Sequence, residues 1–250
     1  MTFAAIIPAR FASTRFPGKP LALLGGKPII QHVYERVSSV VPCTYVATDD
    51  ERIMAVVQSF GGRAIMTSTS HRSGTDRLQE AYDKTARQFD VIINVQGDEP
   101  FIAPTQITAL MKCFEDASTD IATLVQPFTP AMGTDALFNP NSPKVVIGND
   151  QRALYFSRSV IPHLRGIDET EWLNHHTYYK HIGIYAYRAN VLRAITQLPE
   201  STLEKAEKLE QLRWLEAGYT IKTALTTIET IGIDTPEDLA RAEKFLAQNS

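Results

Sequence analysis

Short apolar runs alternate with amphipathic segments through the first half of the chain, and this alternation restricts the fold more than any other feature. Phe3–Ile7 is continuously apolar, as expected for a strand that is buried on both faces of a parallel sheet. Val91–Val95 contains one polar residue, Asn94, and is the clearest strand of the chain. Further strands are predicted at Thr44–Thr48, Ala64–Met66 and Ile121–Val125, and apolar residues between them recur at helical spacing. The resulting β-α-β-α-β order predicts an α/β fold with a doubly wound parallel sheet, in which ligands bind at the carboxyl ends of the strands.

The second half of the chain is less regular. We expect a loop with room for one helical turn over residues 127–143, a hairpin between Lys144–Ile147 and Ala153–Phe156, and a polar, irregular stretch over residues 163–179. A single helix is predicted from Leu203 to Ala217.

The sequence also marks where two helices begin. Pro28 follows a predicted turn at Gly25-Gly26 and is expected to be the first residue of a helix. Pro236 takes the same position in the last helix, where Thr235 and Asp238 form a capping-box pattern.

Composition argues against several classes of protein. The chain has 250 residues, 44% of them hydrophobic and 21% charged, which suits a globular protein with a substantial core. A net charge of −3 argues against a general nucleic-acid binder, since such proteins are usually basic. No apolar run approaches the roughly 18 residues of a membrane span, no charged leader precedes the first strand, and Cys43 and Cys113 have no paired spacing. We therefore expect a soluble cytoplasmic protein with no nucleic-acid or membrane partner.

The loop that follows the first strand is cationic and rich in small residues. Its basic and small residues are Arg10, Ala12, Ser13, Thr14, Arg15, Gly18 and Lys19. No acidic residue precedes Glu35, so the charge is uncompensated, and the small residues let backbone N–H groups approach a ligand; this combination suits a polyphosphate. Lys19 is followed by Pro20, which rules out a Walker motif, and no Gly-x-Gly-x-x-Gly is present. Considered alone, the loop is explained equally well as a surface loop with solvated cations.

Two aspartates follow predicted strands. Asp98 comes just after Val91–Val95, where Gly97 allows close approach. Asp234 follows a short apolar run at a helix start that Thr235 already caps. Mg²⁺ prefers hard oxygen ligands and often shares phosphate oxygens, so this set of residues indicates transfer at a nucleotide phosphate, in which cations offset the developing charge. The alternatives are an ordinary turn residue at Asp98 and helix capping by Asp234.

A polar turn precedes the helix that is predicted after residue 71. Ser73-Gly74-Thr75, followed by Arg77, could read a base edge through hydroxyl and amide groups, although a helix N-cap is the simpler explanation. The six histidines form no zinc pattern with the cysteines, and no Gly-x-Ser-x-Gly motif marks a nucleophilic serine. We therefore expect no covalent enzyme intermediate.

Seven segments along the chain form a recognisable set. They are IIPARFASTRFPGKP at 6–20, HRSGTDR at 71–77, NVQGDEP at 94–100, YFSR at 155–158, HIGIYAYR at 181–188, LEQLR at 209–213 and IDTPEDL at 233–239. Each is weak evidence alone, but in this order they resemble the 3-deoxy-manno-octulosonate cytidylyltransferase (CMP-Kdo synthetase) family of sugar nucleotidyltransferases. The resemblance covers nearly the whole chain, although residues 163–177 match no family pattern.

The resemblance implies a reaction, a fold and partners. The reaction is CTP plus 3-deoxy-D-manno-octulosonate (Kdo) giving CMP-Kdo and diphosphate, with Mg²⁺, for lipopolysaccharide biosynthesis. The fold is a Rossmann-like nucleotidyltransferase fold with a mixed, mostly parallel central sheet flanked by helices, and the chain forms a homodimer. A cytidylyltransferase for another acidic sugar, 8-amino-Kdo or sialic acid, stays open. Two further rivals are a dehydrogenase, which lacks support because the glycine fingerprint is missing, and a non-catalytic nucleotide-binding module.

The resemblance also implies roles for individual residues. For catalysis these are Arg10, Lys19, Asp98 and Asp234, of which Asp98 and Asp234 hold the metal. For nucleotide binding they are Ala9, Arg10, Ser13, Lys19, Gly74, Thr75, Arg77 and Gln96. For the sugar they are Arg15, Gln96, Arg158, His181, Tyr185, Glu210 and Gln211. Arginines suit the carboxylate of Kdo, whereas strand packing would also explain His181 and Tyr185, and a solvated helix face would explain Glu210 and Gln211.

These inferences give a domain organisation. We expect one nucleotidyltransferase domain over residues 1–250, with a nucleotide-binding part (1–126), an inserted dimerisation or substrate subdomain (127–190) and a return to the core sheet (191–250).

Overall fold

The structure is a computed structural model that describes residues 1–71, 73–229 and 231–248. The elements of the first half are β1 (Phe3–Ala9), β2 (Leu23–Leu24), β3 (Lys27–Pro28), α1 (Ile29–Ser38), β4 (Thr44–Thr48), α2 (Glu51–Ser59), β5 (Ala64–Met66), α3 (Gly74–Asp83), β6 (Val91–Asn94) and α4 (Pro104–Lys112). Those of the second half are β7 (Ile121–Pro127), α5 (Gly133–Phe138), β8 (Lys144–Ile147), β9 (Ala153–Ser157), α6 (Trp172–His175), β10 (Tyr179–Arg188), α7 (Ala189–Ile195), α8 (Thr202–Glu207), α9 (Gln211–Glu216), β11 (Ile221–Leu225) and α10 (Pro236–Gln248).

The chain divides into two compact units. The first unit comprises residues 1–108, 187–196 and 229–250, and the second comprises residues 109–186 and 197–228. The second unit therefore begins before the predicted insertion at residue 127 and takes in a later segment as well. The functional division into nucleotide-binding part, insertion and return segment stays a prediction.

Parallel strands form the sheet of the first unit. Strand β1 lies between β6 and β4, with Ala5 opposite Ile93 and Ile7 opposite Val46, and β5 pairs with the far side of β4. Residues 4–7 of β1 are fully buried, as the continuous apolar run predicts. The parallel, doubly wound arrangement is thus confirmed, and it brings the carboxyl ends of β1 and β6 to the same edge.

The start of α1 differs from the prediction. Gly25 and Gly26 both have positive φ, 56° and 81°, and form the predicted turn, which closes a hairpin between β2 and β3. Pro28 pairs with Leu23 in that hairpin, so its backbone is extended (φ −55°, ψ 140°) and it is the N-cap of α1. The prediction that Pro28 is the first helical residue is therefore wrong by one position.

The sheet of the second unit is mixed. Strands β7 and β11 are parallel, with Thr123 opposite Thr223. Strands β8 and β9 form the predicted antiparallel hairpin, and β10 runs antiparallel to β8. With the parallel strands of the first unit, this confirms a mixed, mostly parallel strand arrangement.

The helix predicted from Leu203 to Ala217 is two helices. Lys208 has a left-handed conformation (φ 52°, ψ 46°) and ends α8, and α9 begins at Gln211. Ser201 and Glu204 form a capping box at the start of α8, and the side chain of Glu204 accepts two hydrogen bonds of 2.6 Å from Arg213 in α9. The single-helix prediction is wrong because the apolar spacing carries no information on the backbone reversal at Lys208.

The segments predicted to be irregular contain helices and a small apolar core. Helix α5 interrupts the predicted loop 127–143, and α6 interrupts the stretch 163–179. Trp172 and Tyr178 are buried with Phe128 and Leu137. The Nε1 of Trp172 donates to the carbonyl of Ile167 (3.0 Å), and the hydroxyl of Tyr178 donates to the carbonyl of Pro162 (2.8 Å). Mostly polar residues separate these two aromatic residues in the sequence. The average polarity of residues 163–179 therefore gives no indication that the segment contains buried side chains.

The unpaired cysteines and the short or polar helices agree with two expectations from the sequence. Cys43 and Cys113 are both free thiols, and burial raises the pKa of Cys113 to about 11. Within the described part of the chain, every helix is too short or too polar to cross a lipid bilayer.

Candidate functional site

The first unit contains a cavity of about 310 Å³ at the carboxyl ends of its strands. The loop after β1, the turn after β6 and the starts of α3 and α10 contribute its walls. The lining residues are Pro8, Ala9, Arg10, Ser13, Arg15, Lys19, Pro20, His71, Ser73, Gly74, Arg77, Gln96, Gly97, Asp98 and Asp234. All the predicted phosphate-side and metal residues are therefore brought together at one place.

Lys19 joins the two predicted metal ligands. Its Nζ donates to Asp98 Oδ2 at 2.5 Å and to Asp234 Oδ1 at 3.0 Å, and only 12% of its side chain is exposed. Arg15 lies 3.1 Å from the other oxygen of Asp234. Two carboxylates that are far apart in sequence thus converge on one ammonium group, beside a loop that carries Arg10.

Backbone contacts explain why the two aspartates meet. The N–H of Ile233 donates to the carbonyl of Asp98 at 2.9 Å, which fixes the segment before α10 against the turn after β6. Asp238 and Thr235 cap α10 reciprocally, with hydrogen bonds of 3.0 and 3.2 Å. As the sequence predicts, the cap leaves the carboxylate of Asp234 for the cavity.

Gly97 permits the close approach of that turn to β1. A Cβ at this position would lie 2.9 Å from the carbonyl oxygen of Pro8, a distance that requires the backbone to shift. Because Asp98 follows directly, any larger residue at Gly97 would displace its carboxylate.

The donor set fits a magnesium ion. Asp98 and Asp234 offer hard oxygen atoms that already surround a cation, the ammonium of Lys19. No cluster of three or more His, Cys, Asp or Glu side chains occurs among the residues described. Two carboxylates suit Mg²⁺, because this ion commonly binds through one or two carboxylates together with water and substrate phosphates.

The start of α3 forms another wall of the cavity. Ser73 caps the helix by accepting from the N–H of Asp76 at 3.1 Å, which confirms the simpler explanation of this turn. Gly74 faces the cavity, whereas Thr75 is buried and does not line it. Arg72 of the same motif lies outside the described residues.

Arg77 lines the cavity, and its guanidinium is hydrogen-bonded to other residues of the chain. It donates to Thr67 Oγ1 at 2.6 Å and to Asp49 Oδ2 at 2.7 Å, and its side chain is almost fully buried. Its contacts therefore tie α3 to the residues that follow β4 and β5.

Three further residues line the cavity that the sequence does not indicate as site residues, namely Pro8, Pro20 and His71. His71 bonds to Glu80 through Nε2. Burial opposes the ionisation of Glu80, but hydrogen bonds, including one from Lys84, outweigh it and lower its pKa to about 2. The motif HRSGTDR includes His71, but the motif alone does not indicate which of its side chains face the cavity.

The other predicted sugar-binding residues lie in the second unit. Arg158 is half-buried and donates to three carbonyl oxygens, those of Glu207 (2.6 Å), Pro140 (2.9 Å) and Lys208 (3.3 Å). The left-handed turn at Lys208 supplies one of these carbonyls. Because these three acceptors are uncharged carbonyl oxygens, they hold the guanidinium in place without neutralising its positive charge.

His181 and Tyr185 lie in the core of the second unit. His181 is buried, with Nε2 3.0 Å from Thr123 Oγ1 and its ring 5.0 Å from that of Phe156. Burial lowers the pKa of His181 to about 3, so its ring is neutral near pH 7. Tyr185 is buried edge-on against Trp214.

The last two predicted residues differ in exposure. Gln211 is buried at the start of α9, and its Nε2 has no hydrogen-bond partner among the residues described. Glu210 is half-buried. The alternative explanation, a solvated helix face, therefore does not hold for Gln211, because the break at Lys208 turns α9 relative to the expected single helix.

Known proteins resemble this chain along its whole length. A family model described as cytidylyltransferase matches residues 4–231. The 3-deoxy-manno-octulosonate cytidylyltransferase of Phocaeicola vulgatus is 64% identical over 99% of this chain and 98% of its own. The 8-amino-3,8-dideoxy-manno-octulosonate cytidylyltransferase of Shewanella baltica is 45% identical over 99% of each chain.

A solved structure agrees with these similarities. The structure of CMP:2-keto-3-deoxy-manno-octonic acid synthetase complexed with CTP matches this fold with a TM-score of 0.92, at 44% identity over 100% of both chains. This match confirms the predicted nucleotidyltransferase fold class. The chain therefore belongs to the 3-deoxy-manno-octulosonate cytidylyltransferase family.

Proposed function

We propose that this chain transfers the cytidylyl group of CTP to 3-deoxy-D-manno-octulosonate, giving CMP-Kdo and diphosphate for lipopolysaccharide biosynthesis. The observation that carries the proposal is the convergence of Asp98 and Asp234 on Lys19 beside the cationic loop. This arrangement offers a cation site and phosphate-binding charges together, as nucleotidyl transfer requires. The reaction uses cytoplasmic CTP, so we place the protein in the cytoplasm.

The phosphates of CTP bind to the loop after β1. Arg10 and Lys19 supply charge, and Ser13 supplies a hydroxyl. Lys19 exchanges its carboxylate partners for phosphate oxygens when nucleotide binds, which leaves Asp98 and Asp234 to hold Mg²⁺. Mg²⁺ held by Asp98 and Asp234 would favour the ionised form of the attacking sugar hydroxyl and would offset charge on the phosphoryl oxygens.

The chemistry is a direct displacement at the α-phosphorus. The anomeric hydroxyl of Kdo attacks, and diphosphate leaves. Catalysis then comes from positioning and charge stabilisation, which suits a cavity lined by cations rather than by a nucleophile–base pair. Trapping a covalent nucleotidyl-enzyme adduct would contradict this mechanism.

The base and the sugar are recognised by different parts of the chain. Gly74 lies at the cytosine, with Ala9 and Gln96 nearby, and the buried Thr75 and Arg77 fix the start of the helix that carries it. Arg158 holds the Kdo carboxylate, since its charge has no carboxylate partner among the ion pairs of the described residues. The other sugar contacts are Arg15, Gln96, His181, Tyr185, Glu210 and Gln211. A neutral His181 exchanges hydrogen bonds with sugar hydroxyls rather than supplying charge.

The chain functions as a homodimer through the second unit. Most of the large apolar side chains that are exposed among the described residues belong to this unit, namely Met132, Phe138, Leu154, Leu225 and Ile228. An interface between two copies of this unit would remove such side chains from water, which favours association. We expect sedimentation equilibrium to give twice the 27.9 kDa of one chain, and Leu154→Glu to weaken the association. A wild-type monomer at micromolar concentration would contradict the proposal.

Diphosphate release tests the reaction and separates it from its rivals. We expect rapid release with CTP, Mg²⁺ and Kdo, and little with UTP or ATP in place of CTP. An enzyme that prefers 8-amino-Kdo or sialic acid would instead respond to those sugars, which is the favoured alternative because of the 45% identity to the 8-amino-Kdo relative. A binding module would bind CTP and release no diphosphate with any sugar.

A further inference from the structure

The ring of Phe11 contacts both a glycine of the cationic loop and an arginine of helix α2. The Cζ of Arg52 lies 3.4 Å from the centroid of the Phe11 ring. A Cβ built on Gly18 would lie 3.0 Å from two carbons of the same ring. Neither Phe11 nor Arg52 lines the cavity, so both support the loop without facing the ligand.

Arg52 is fixed by the residue that caps its own helix. Its Nε and Nη2 donate to the two carboxylate oxygens of Asp50 at 3.0 and 2.7 Å, and its backbone N–H donates to Asp50 at 2.9 Å. The guanidinium is thus a flat, rigid surface for the ring. Its charge is offset by Asp50, so its effect on the loop is geometric.

The backbone of Phe11 closes the loop on the other side. Its carbonyl accepts hydrogen bonds from the N–H groups of Ser13 (3.0 Å) and Gly18 (2.9 Å). Gly18 has a φ of 70°, a left-handed conformation that favours glycine, and it directly precedes Lys19. Ring, carbonyl and glycine together determine the path of the chain from Arg10 to Lys19.

We propose that Phe11 and Arg52 are positioning residues for the triphosphate of the nucleotide. They hold the loop in its binding conformation before the ligand arrives, so less ordering is required on binding. This inference relies on the proposed function, because it assigns the loop to a nucleoside triphosphate.

Calorimetry of CTP binding without sugar, combined with steady-state kinetics, tests the inference. A cation–π contact at an exposed site corresponds to about 2- to 5-fold in affinity. We expect Arg52→Gln to weaken CTP binding and to raise the KM for CTP by that factor, while the KM for Kdo stays unchanged. Phe11→Leu should act similarly, whereas Phe11→Tyr, which keeps the ring, should match the wild type.

Two further variants serve different purposes. Arg52→Lys separates the geometry of the contact from its charge, and Arg193→Gln controls for the general effect of losing an exposed ion pair. Arg52→Lys keeps the charge but loses the flat, two-point contact with Asp50, and we expect it to bind CTP as weakly as Arg52→Gln. Arg193→Gln is the matched control, since Arg193 is an equally exposed partner of an aspartate in the same unit (Asp83, 3.1 Å) that does not line the cavity. It should leave CTP binding unchanged.

The double variant Phe11→Leu/Arg52→Gln tests whether the two residues act as a unit. We expect it to bind CTP no more weakly than Phe11→Leu alone, because either change removes the same contact. Wild-type affinity in Arg52→Lys, additive losses in the double variant, or unchanged affinity in Arg52→Gln and Phe11→Leu would overturn the inference while leaving the proposed function intact. A wild-type chain that binds no CTP would contradict both.

Discussion

At the scale of single residues, Lys19 contributes most to the organisation of the site. Its position in a cationic loop indicates phosphate binding, and the predicted strands before Asp98 and Asp234 indicate a metal site. The strand before Asp98 is present, whereas residues 231–233 form no strand, so that part of the prediction is wrong. The sequence does not predict that one lysine contacts both acids, because this contact depends on how segments far apart in the chain are held together. The structure adds that contact at 2.5 and 3.0 Å.

Removing the charge of Asp98 should abolish most activity. For Asp98→Asn we expect turnover to fall by about two orders of magnitude or more, since the proposed metal site loses one of its two charged oxygen ligands. Diphosphate release measures the effect, and circular dichroism checks that the variant is folded. Asp83→Asn is the control, because it changes the same charge at an exposed ion pair outside the cavity. Near-wild-type turnover in Asp98→Asn would remove this residue from the metal site.

His181 should make the protein sensitive to acid. Burial lowers its pKa from 6.5 to about 3 in the folded chain, so below pH 6.5 the unfolded chain takes up a proton that the folded chain does not. The stability attributable to this residue is complete above pH 6.5 and declines as the pH falls toward 3. At pH 5 we expect a loss of about 2 kcal/mol in the free energy of unfolding.

Urea unfolding at pH 7 and pH 5 measures this difference. We expect His181→Gln to lose less stability between the two pH values than the wild type does. His175→Gln, at an exposed position, should behave like the wild type. Equal pH dependence in all three proteins would show that His181 titrates normally.

At the scale of elements, the sequence predicts the buried strands well and the backbone reversals poorly. Strands β4 and β5 have the predicted bounds, because turn residues lie close to both, namely Asp49-Asp50 after β4 and Gly61-Gly62 before β5. Strand β1 continues to Ala9, two residues beyond its predicted end. The sequence does not predict the hairpin that contains Pro28 or the break at Lys208. Both depend on local pairing or left-handed backbone that side-chain hydrophobicity does not encode.

The break between α8 and α9 gives a test at this scale. Lysine at a φ of 52° is strained, so we expect Lys208→Gly to raise the free energy of unfolding by about 0.5–1 kcal/mol. Lys205→Gly, within α8, should instead lower it by about 1 kcal/mol. Urea unfolding measures both values. Comparable destabilisation by the two substitutions would contradict the strained conformation at Lys208.

At the scale of the whole molecule, seven short motifs in order are enough to indicate the family, and the family model and relatives agree over nearly the entire length. The residues predicted to bind phosphate and metal line one cavity, although each of them has a simpler explanation when it is considered alone. The sugar side is harder to predict. Arg158 and Gln211 belong to the second unit, where their contacts depend on the turn at Lys208 and on the packing of α9.

A crystal structure with CTP and Mg²⁺ tests the central claim most directly. We expect Asp98 and Asp234 to share the metal ion, with Arg10 and Lys19 on the phosphate oxygens and Lys19 released from both carboxylates. Phosphates bound away from Arg10 and Lys19, or a metal ion that contacts neither aspartate, would contradict it.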